Sequence, residues 1–566
     1  MSEISDLNSK TEKRGLETSA ESFVAPESTK RPRLVQDNQP PVASASISTV
    51  EQPATGDPED GTTEMAVDTP AVLGSNEAQS SSPSKVKKDN RKKSRGRGGR
   101  RTRNEEDASR DVQHTEDGEP IPKAIRYPKR QCALLLGFCG SGYSGMQIQP
   151  DHTRTIEGVL FNALVKVGAV SQDNADNPVK VGLARAARTD AGVHAAGNIV
   201  SLKMIITIPG VKDIVARVNE ELPPEIRLWG YVRTQNSFNA RLICESRKYT
   251  YFFPTYLLIP PKPGSGLHRV WSEQVGSDDR PAVSYEFWEG QETSTKEEDL
   301  ARKRAWRINQ EQSETLKKLA ARYEGTHNFH NFTVGRDFGD RSNNRYMKKI
   351  EISEPMVYGE TEWISVLFHG QSFMLHQRKM MAILVLACRM GTPVRVISEL
   401  YGQRDVFVPK MPSLGLLLEE PLFDSYNQRM GAINSKIEST DPEYRPPIDF
   451  DQYRDKIDVF KQKYIYENMR EVEDREGLFD AWVRAVDAYA GNDLLYLNPT
   501  GAVPDAAVIT KGVKRDNPFR EKRVFDTTSF PSTGEIKKKL EEEADAEDED
   551  EEDAVLDKRQ LEETEG

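Results

Sequence analysis

Cysteine is scarce in this chain: four among 566 residues, at positions 132, 139, 244 and 388, with no Cys-x-x-Cys pair. Such spacing supports neither a disulfide framework nor a zinc ribbon, and the thiols are expected reduced and partly buried. The Pro-Cys-x-x-Cys half of the zinc-deaminase signature is missing with them, which removes one class of nucleic-acid enzyme. Long apolar runs are absent too. No stretch reaches the roughly eighteen apolar residues of a membrane-spanning helix, so no membrane partner is expected. Met1 to Arg14 lacks the apolar core of a secretory signal, and an intracellular protein is expected. Hydrophobic residues make up only 36% of the chain, low for a fully globular protein of this length.

The deficit lies at the two ends. Residues 1–125 are rich in Ser, Glu, Pro, Gly and Lys without a sustained apolar period, and 504–566 read the same way; both are expected to be disordered tails. Glu541 to Asp553 holds eleven acidic residues, which accounts for nearly all of the net charge of −12. The near-neutral remainder can bind RNA if its basic residues gather on one face. Two basic clusters, Lys30-Arg31-Pro32-Arg33 and the longer Lys85 to Arg103, read as nuclear import signals. They imply a nuclear location and an import receptor as partner.

Between the tails, apolar periodicity predicts a strand over Gln131 to Phe138 and a helix around Thr155 to Val167. Strand-like runs follow at Val179 to Leu183 and Asn198 to Met204. Next come a helix from Val211 to Leu222, stopped by Pro223-Pro224, and strands at Ile226 to Val232 and Arg247 to Phe253. A second region has a helix ending near Tyr323, strands at Arg345 to Ile352 and Thr361 to Phe368, an apolar helix from Met374 to Met390 and a short helix from Val394 to Tyr401. The expected division is therefore a subdomain over 126–258, an insertion over 259–312, a second subdomain over 313–430 and a helical extension over 431–503.

The loop Arg188-Thr189-Asp190-Ala191-Gly192-Val193-His194-Ala195 lies between two of the expected strands. A short loop there can hold the Asp190 carboxylate rigidly at a cleft, with Arg188 nearby to favour its ionised form. An Asp-x-Gly turn joining two strands is the competing reading. Gly140-Ser141-Gly142-Tyr143-Ser144-Gly145 matches GxGxxG, but Pro150 delays the following helix to about Thr155, so no helix end faces a dinucleotide pyrophosphate. In Arg247-Lys248-Tyr249-Thr250-Tyr251, alternation puts Tyr249 and Tyr251 on one face with Arg247, where an aromatic ring can stack on an unpaired base. Four histidines fall between His327 and His376, without the partners that metal sites of this kind use. Gln371 to Met380 opens the apolar helix with Arg378 and Lys379, basic side chains that are costly to bury without an acid. Arg302-Lys303-Arg304-Ala305-Trp306-Arg307 offers an RNA contact or an amphipathic surface helix.

Arg-Thr-Asp-x-Gly-Val-His-Ala resembles the active-site motif of the TruA family of tRNA pseudouridine synthases. Further motifs agree in order from Lys129 to Phe423: the glycine segment after the first strand, Phe238-Asn239-Ala240-Arg241, Arg-x-Tyr-x-Tyr, Gly325-Thr326-His327-Asn328-Phe329, and the closing Leu414-Gly415-Leu416 strand. The eukaryotic, fungal nuclear branch is the most similar. The resemblance implies an α+β fold of two ferredoxin-like subdomains sharing a central antiparallel sheet, helices outside and an RNA cleft between the halves. It implies an isomerase, uridine to pseudouridine, with Asp190 as the catalytic residue and Tyr249, Arg188, Arg378 and Arg241 binding the substrate. Related sequences carry an apolar residue between the Gln and Arg that this chain lacks, which puts Lys379 in competition with Arg378. The implied substrates are tRNA, around positions 27 and 28 of the anticodon stem and loop, and intron-containing precursors, with U2 snRNA and mRNA as further targets. No cofactor is required for the chemistry, although zinc accompanies fungal members of the family, and a monomer is implied. A non-catalytic tRNA-binding chaperone is the alternative from another functional class.

Overall fold

Gln131 to Phe138 is almost continuously apolar, as a strand buried on both faces must be. In a computed structural model, which describes residues 127–149, 153–274, 285–510 and 525, it forms β1 (Lys129–Phe138). Cys132, Leu134, Leu136 and Phe138 share a core with Ile156, Leu160 and Leu164 of α1 (Ile156–Val167), while Ala133 and Leu135 join a second core that contains Trp229 and Phe460. The basic clusters at 30–33 and 85–103 and the acidic block lie outside the described residues.

Nine further strands complete the sheet among the described residues: β2 (Ala184–Arg185), β3 (His194–Ile205), β4 (Ile226–Arg233), β5 (Ser246–Pro254), β6 (Gly325–Asn328), β7 (Asn344–Ile352), β8 (Met356–Tyr358), β9 (Thr361–Gly370) and β10 (Leu416–Leu422). The strands run in the order β4-β1-β3-β10-β5-β9-β7-β6, with β2 paired to β3 and β8 to β9. Pairing is antiparallel except where Leu417 and Leu418 of β10 meet His194 and Ala195 of β3 in parallel. This is a mixed α/β architecture with one large, mostly antiparallel sheet. The last strand in sequence thus lies in the middle of the sheet, at the seam between the two regions.

Helices cover both faces. α1 packs with α2 (Ile214–Glu221), which starts when Asp213 accepts the Ala216 amide at 3.1 Å and ends before Pro223. A short α3 (Ala240–Ile243) precedes β5, and the insertion supplies α4 (Gly266–Gln274) and α5 (Lys296–Ala305). α6 (Gln310–Ala320) packs on α7 (Lys379–Arg389), whose every residue is buried, and α8 (Arg395–Leu400) follows. α9 (Asp424–Asn434) leads out of β10, and α10 (Arg454–Phe460), α11 (Glu467–Glu476) and α12 (Leu478–Ala488) form the extension. Trp229 meets Phe460 edge-on at 5.3 Å and Phe252 meets Tyr466 at 5.0 Å, so the extension covers the sheet face turned away from α1.

Two expectations are corrected, and one reading left open gains partners. Val179 to Leu183 is not a strand: Asn177 accepts the Val179 amide, Pro178 sets the first turn and Gly182 is left-handed, so Pro178–Val181 coils as a 3-10 turn and Val179 is exposed. The apolar helix begins at Lys379 rather than Met374, because the Met374 amide donates to Gln377 Oε1 at 2.6 Å and His376 turns left-handed with φ 56°. Finally, the cations of Arg302 to Arg304 have protein partners. Lys303 Nζ is 2.8 Å from Asp480 with both side chains buried, Arg302 pairs with Asp299, and Arg304 donates to the Glu473 and Asp474 carbonyls. These cations fasten α5 to itself, α11 and α12.

Candidate active site

Asp190 sits in the eight-residue connection from β2 to β3, closed by a turn in which the Val193 amide donates to Asp190 O at 3.2 Å and Gly192 takes φ 75°. The root of this loop is fixed by side chains. Asn198 accepts the Ala187 amide at 3.2 Å and donates to Ala187 O at 3.0 Å. Arg247 donates from Nε (3.0 Å) and Nη2 (2.6 Å) to Ala186 O.

The glycine segment packs beneath the loop. Tyr143 O accepts the Gly192 amide and Thr189 O accepts the Met146 amide, at 3.4 and 3.0 Å. The approach is so close that a Cβ on Gly140 would lie 2.0 Å from Val193 O. The segment resembling a dinucleotide motif is therefore the bed of the Asp190 loop. His194 locks the arrangement: its Nδ1 accepts the Gly140 amide at 3.1 Å, so Nε2 carries the proton that goes to Leu414 O at 3.1 Å. Complete burial pushes its pKa down to about 4, which keeps the ring neutral at physiological pH. Asn468 of α11 reaches the same segment, accepting from Ser141 Oγ at 2.7 Å and Cys139 Sγ at 3.5 Å.

Above this bed the expected residues converge. The Arg378 guanidinium, whose side chain is 1% exposed, has Nη1 4.0 Å from Asp190 Oδ2, while the Asp190 side chain is 29% exposed. The competitor Lys379 points elsewhere, donating to Thr333 O at 3.1 Å. Tyr249, central in β5, is buried and meets the Phe373 ring edge-on at 4.8 Å. Burial pushes the Tyr249 phenol upward and the Asp190 charge adds to the rise, so the hydroxyl keeps its proton and lies within the carboxylate's field.

The other two expected residues attach to different features. The Arg188 charge acts on Glu157, a buried carboxyl that burial pushes up and that Arg185, at 2.5 Å, and Arg188 pull back down. Arg241 lies half-buried in α3, which Asn239 caps and which Ser201 of β3 holds through the Ala240 amide.

Sequence reasoning missed three participants. His376 Nδ1 lies 3.7 Å from Asp190 Oδ2. Phe373 faces Tyr249, and Arg247, besides holding Ala186, donates from Nη1 to Gln371 O at 3.3 Å. Arg247 thereby ties the Asp190 loop to the turn that carries Arg378. An arginine on the same strand face as two tyrosines was the available signal for it.

The histidines do not assemble a zinc site. His327 stacks flat on Tyr401 at 4.3 Å, His330 lies near Asp405, His369 reaches Ser246 and His376 faces Asp190. No group of three or more His, Cys, Asp or Glu residues able to hold a metal ion occurs among the described residues. Among the described residues, the donors do not fit the metal.

A sequence model described as tRNA pseudouridine synthase matches residues 319–424, the stretch that holds Arg378 and β10. Curated relatives extend the likeness further along the chain. A Kluyveromyces lactis protein named tRNA pseudouridine synthase 1 is 41% identical over 417 residues, covering 66% of this chain and 72% of the relative. Its Saccharomyces cerevisiae namesake is 40% identical over 417 residues, covering 66% and 74%. Another Saccharomyces cerevisiae relative, tRNA pseudouridine(27/28) synthase, is 39% identical over 329 residues, covering 52% and 85%. With that identity spread across more than two thirds of two relatives, and a carboxylate, a buried guanidinium and an aromatic pair meeting at one seam, this chain belongs to the TruA family of tRNA pseudouridine synthases.

Proposed function

We propose that the protein isomerises uridine to pseudouridine in tRNA, with Asp190 as the catalytic residue. The observation that carries this reading is the partly exposed Asp190 carboxylate beside the buried Arg378 and the Tyr249–Phe373 pair. The N1–C1′ bond breaks, the freed uracil turns, and a C5–C1′ bond forms; C5 loses a proton and N1 gains one. Nothing is supplied from outside. Asp190 starts the cleavage, as nucleophile at the sugar or as base on its proton, and both routes need an ionised carboxylate. Arg378 supplies the neighbouring positive charge. Tyr249 keeps a neutral ring against the base, and a target buried in a stem must unstack, at about a few kcal/mol, to reach it.

Asp190→Ala tests the reading. The variant is expected to bind tRNA with unchanged affinity and form no pseudouridine. A tRNA-binding chaperone would instead keep its whole activity, and retained pseudouridine formation would remove Asp190 from the mechanism.

The proposal extends to tRNA positions around 27 and 28, to intron-containing precursors, and to U2 snRNA and mRNA as secondary targets. Mapping pseudouridines in cells lacking the protein checks each. Arg188 and Arg241 are proposed as phosphate contacts. We also propose that 126–258 and 313–430 are ferredoxin-like subdomains bracketing an RNA cleft; the antiparallel neighbours β4-β1-β3 and β5-β9-β7 on either side of β10 support this. A monomer imported into the nucleus through Lys85 to Arg103 completes the reading. Deleting that cluster is expected to leave a tagged protein cytoplasmic.

A further inference from the structure

We infer that His376 is a positioning residue for the Asp190 carboxylate, forming with Arg378 a two-sided clamp on Oδ2 that presents Oδ1 to the sugar. The inference rests on the proposed role of Asp190 and adds to it which oxygen reacts. Its first support is conformational. His376 is the one non-glycine residue with a positive φ, 56°, among the described residues. L-residues avoid this region, and His, Asn and Asp are the side chains that enter it most readily. A turn needed only to start α7 would form more easily with glycine.

The second support is where that conformation sends the ring. Nδ1 lies 3.7 Å from Asp190 Oδ2, and Arg378, two residues later, brings Nη1 within 4.0 Å of the same oxygen. The nearest approach of each group falls on Oδ2, the oxygen that the pair would hold while Oδ1 reacts. At 3.7 Å the imidazole is beyond hydrogen-bond length, but a shift of well under 1 Å would make the bond, and such contacts commonly tighten when substrate binds. Phe373 lies three residues earlier in the same turn and touches Tyr249, so one short segment sets the aromatic wall, the imidazole and the guanidinium.

The test uses the full chain and unmodified tRNA. His376→Gly removes the imidazole and relaxes the backbone. It is expected to raise Tm, lower kcat about 10- to 100-fold, the worth of one hydrogen bond to a charged group, and change KM less than about 3-fold. In His376→Asn an amide nitrogen takes the place of Nδ1 on a side chain that tolerates the left-handed region; its kcat is expected within about 5-fold of the wild type. A His376→Gly variant at the wild-type rate would overturn the inference, as would a His376→Asn variant no faster than the glycine variant. Asp190→Ala run alongside separates the levels. If it is inactive while the His376 variants are unimpaired, only this inference fails; if it is active, the underlying reading fails.

Discussion

Gly140→Ala is expected to disable catalysis while leaving tRNA binding intact. The added Cβ would sit 2.0 Å from Val193 O, 2.6 Å from Val193 C and 2.9 Å from Val193 N, all backbone atoms, whereas real Cβ contacts essentially never fall below 3.0 Å. One of the two segments must therefore move by about 1 Å. The glycine segment is pinned by Asn468 and by the Cys139 amide on Glu225 O, so the displacement goes into Val193 and, through its hydrogen bond, into Asp190. A 1 Å misplacement of a reacting group costs on the order of 100-fold in rate, and overpacking costs about 1–3 kcal/mol of stability. Single-turnover pseudouridine formation, tRNA affinity and Tm are measured on one preparation. Gly339→Ala, where the added methyl meets nothing within 4 Å, is the control. A folded Gly140→Ala variant with kcat within about 2-fold of the wild type would refute the reasoning that the glycine segment sets the position of Asp190.

Other perturbations follow the same geometry. Arg378→Met is expected to lower kcat about 100-fold with little change in KM; unit charges 4.0 Å apart attract by roughly 4 kcal/mol at an effective dielectric near 20, part of which solvation of the carboxylate replaces. Arg247→Met strips charge-assisted hydrogen bonds from Ala186 O and Gln371 O and should destabilise the fold by about 2–4 kcal/mol in urea titrations, with kcat falling alongside. Asn468→Ala leaves Ser141 without its 2.7 Å acceptor and should speed amide hydrogen exchange across 140–146, at about 1–2 kcal/mol of stability. Burial pushes Glu473, which accepts from Tyr256 Oη and the Phe479 amide, up to about 7 from an ordinary 4.5. The folded state then holds the proton more tightly than the unfolded chain, so stability falls as pH rises from about 4.5 to 7; Glu473→Gln should flatten that slope in Tm measurements.

Strong periodicity carried from sequence to structure. β1, α1 and β5 stand where alternation or helical spacing put them, because each buries a full face. Val179 to Leu183 has the right side chains for a strand, yet Asn177, Pro178 and Gly182 supply turn chemistry that decides the backbone. Asp190, Tyr249 and Arg378 were legible as motifs in a given order, and the fold brings them to one seam. Arg247 was visible on the tyrosine face but its role was not, since it acts through two backbone carbonyls, and His376 acts through a φ angle that its residue type does not announce. The basic run in the insertion stayed open for another reason: the acid that neutralises Lys303 lies 177 residues away.

The position of β10 has a consequence for the order of synthesis. Leu416 to Leu422 leave the ribosome after every other strand of this sheet, yet they complete its middle, against β3 on one side and β5 on the other. Until they arrive, two strands next to the reactive loop have open edges able to pair with a neighbouring chain. A nascent or truncated polypeptide ending before Leu416 should consequently be inactive and prone to self-association, however completely its two flanking regions have folded.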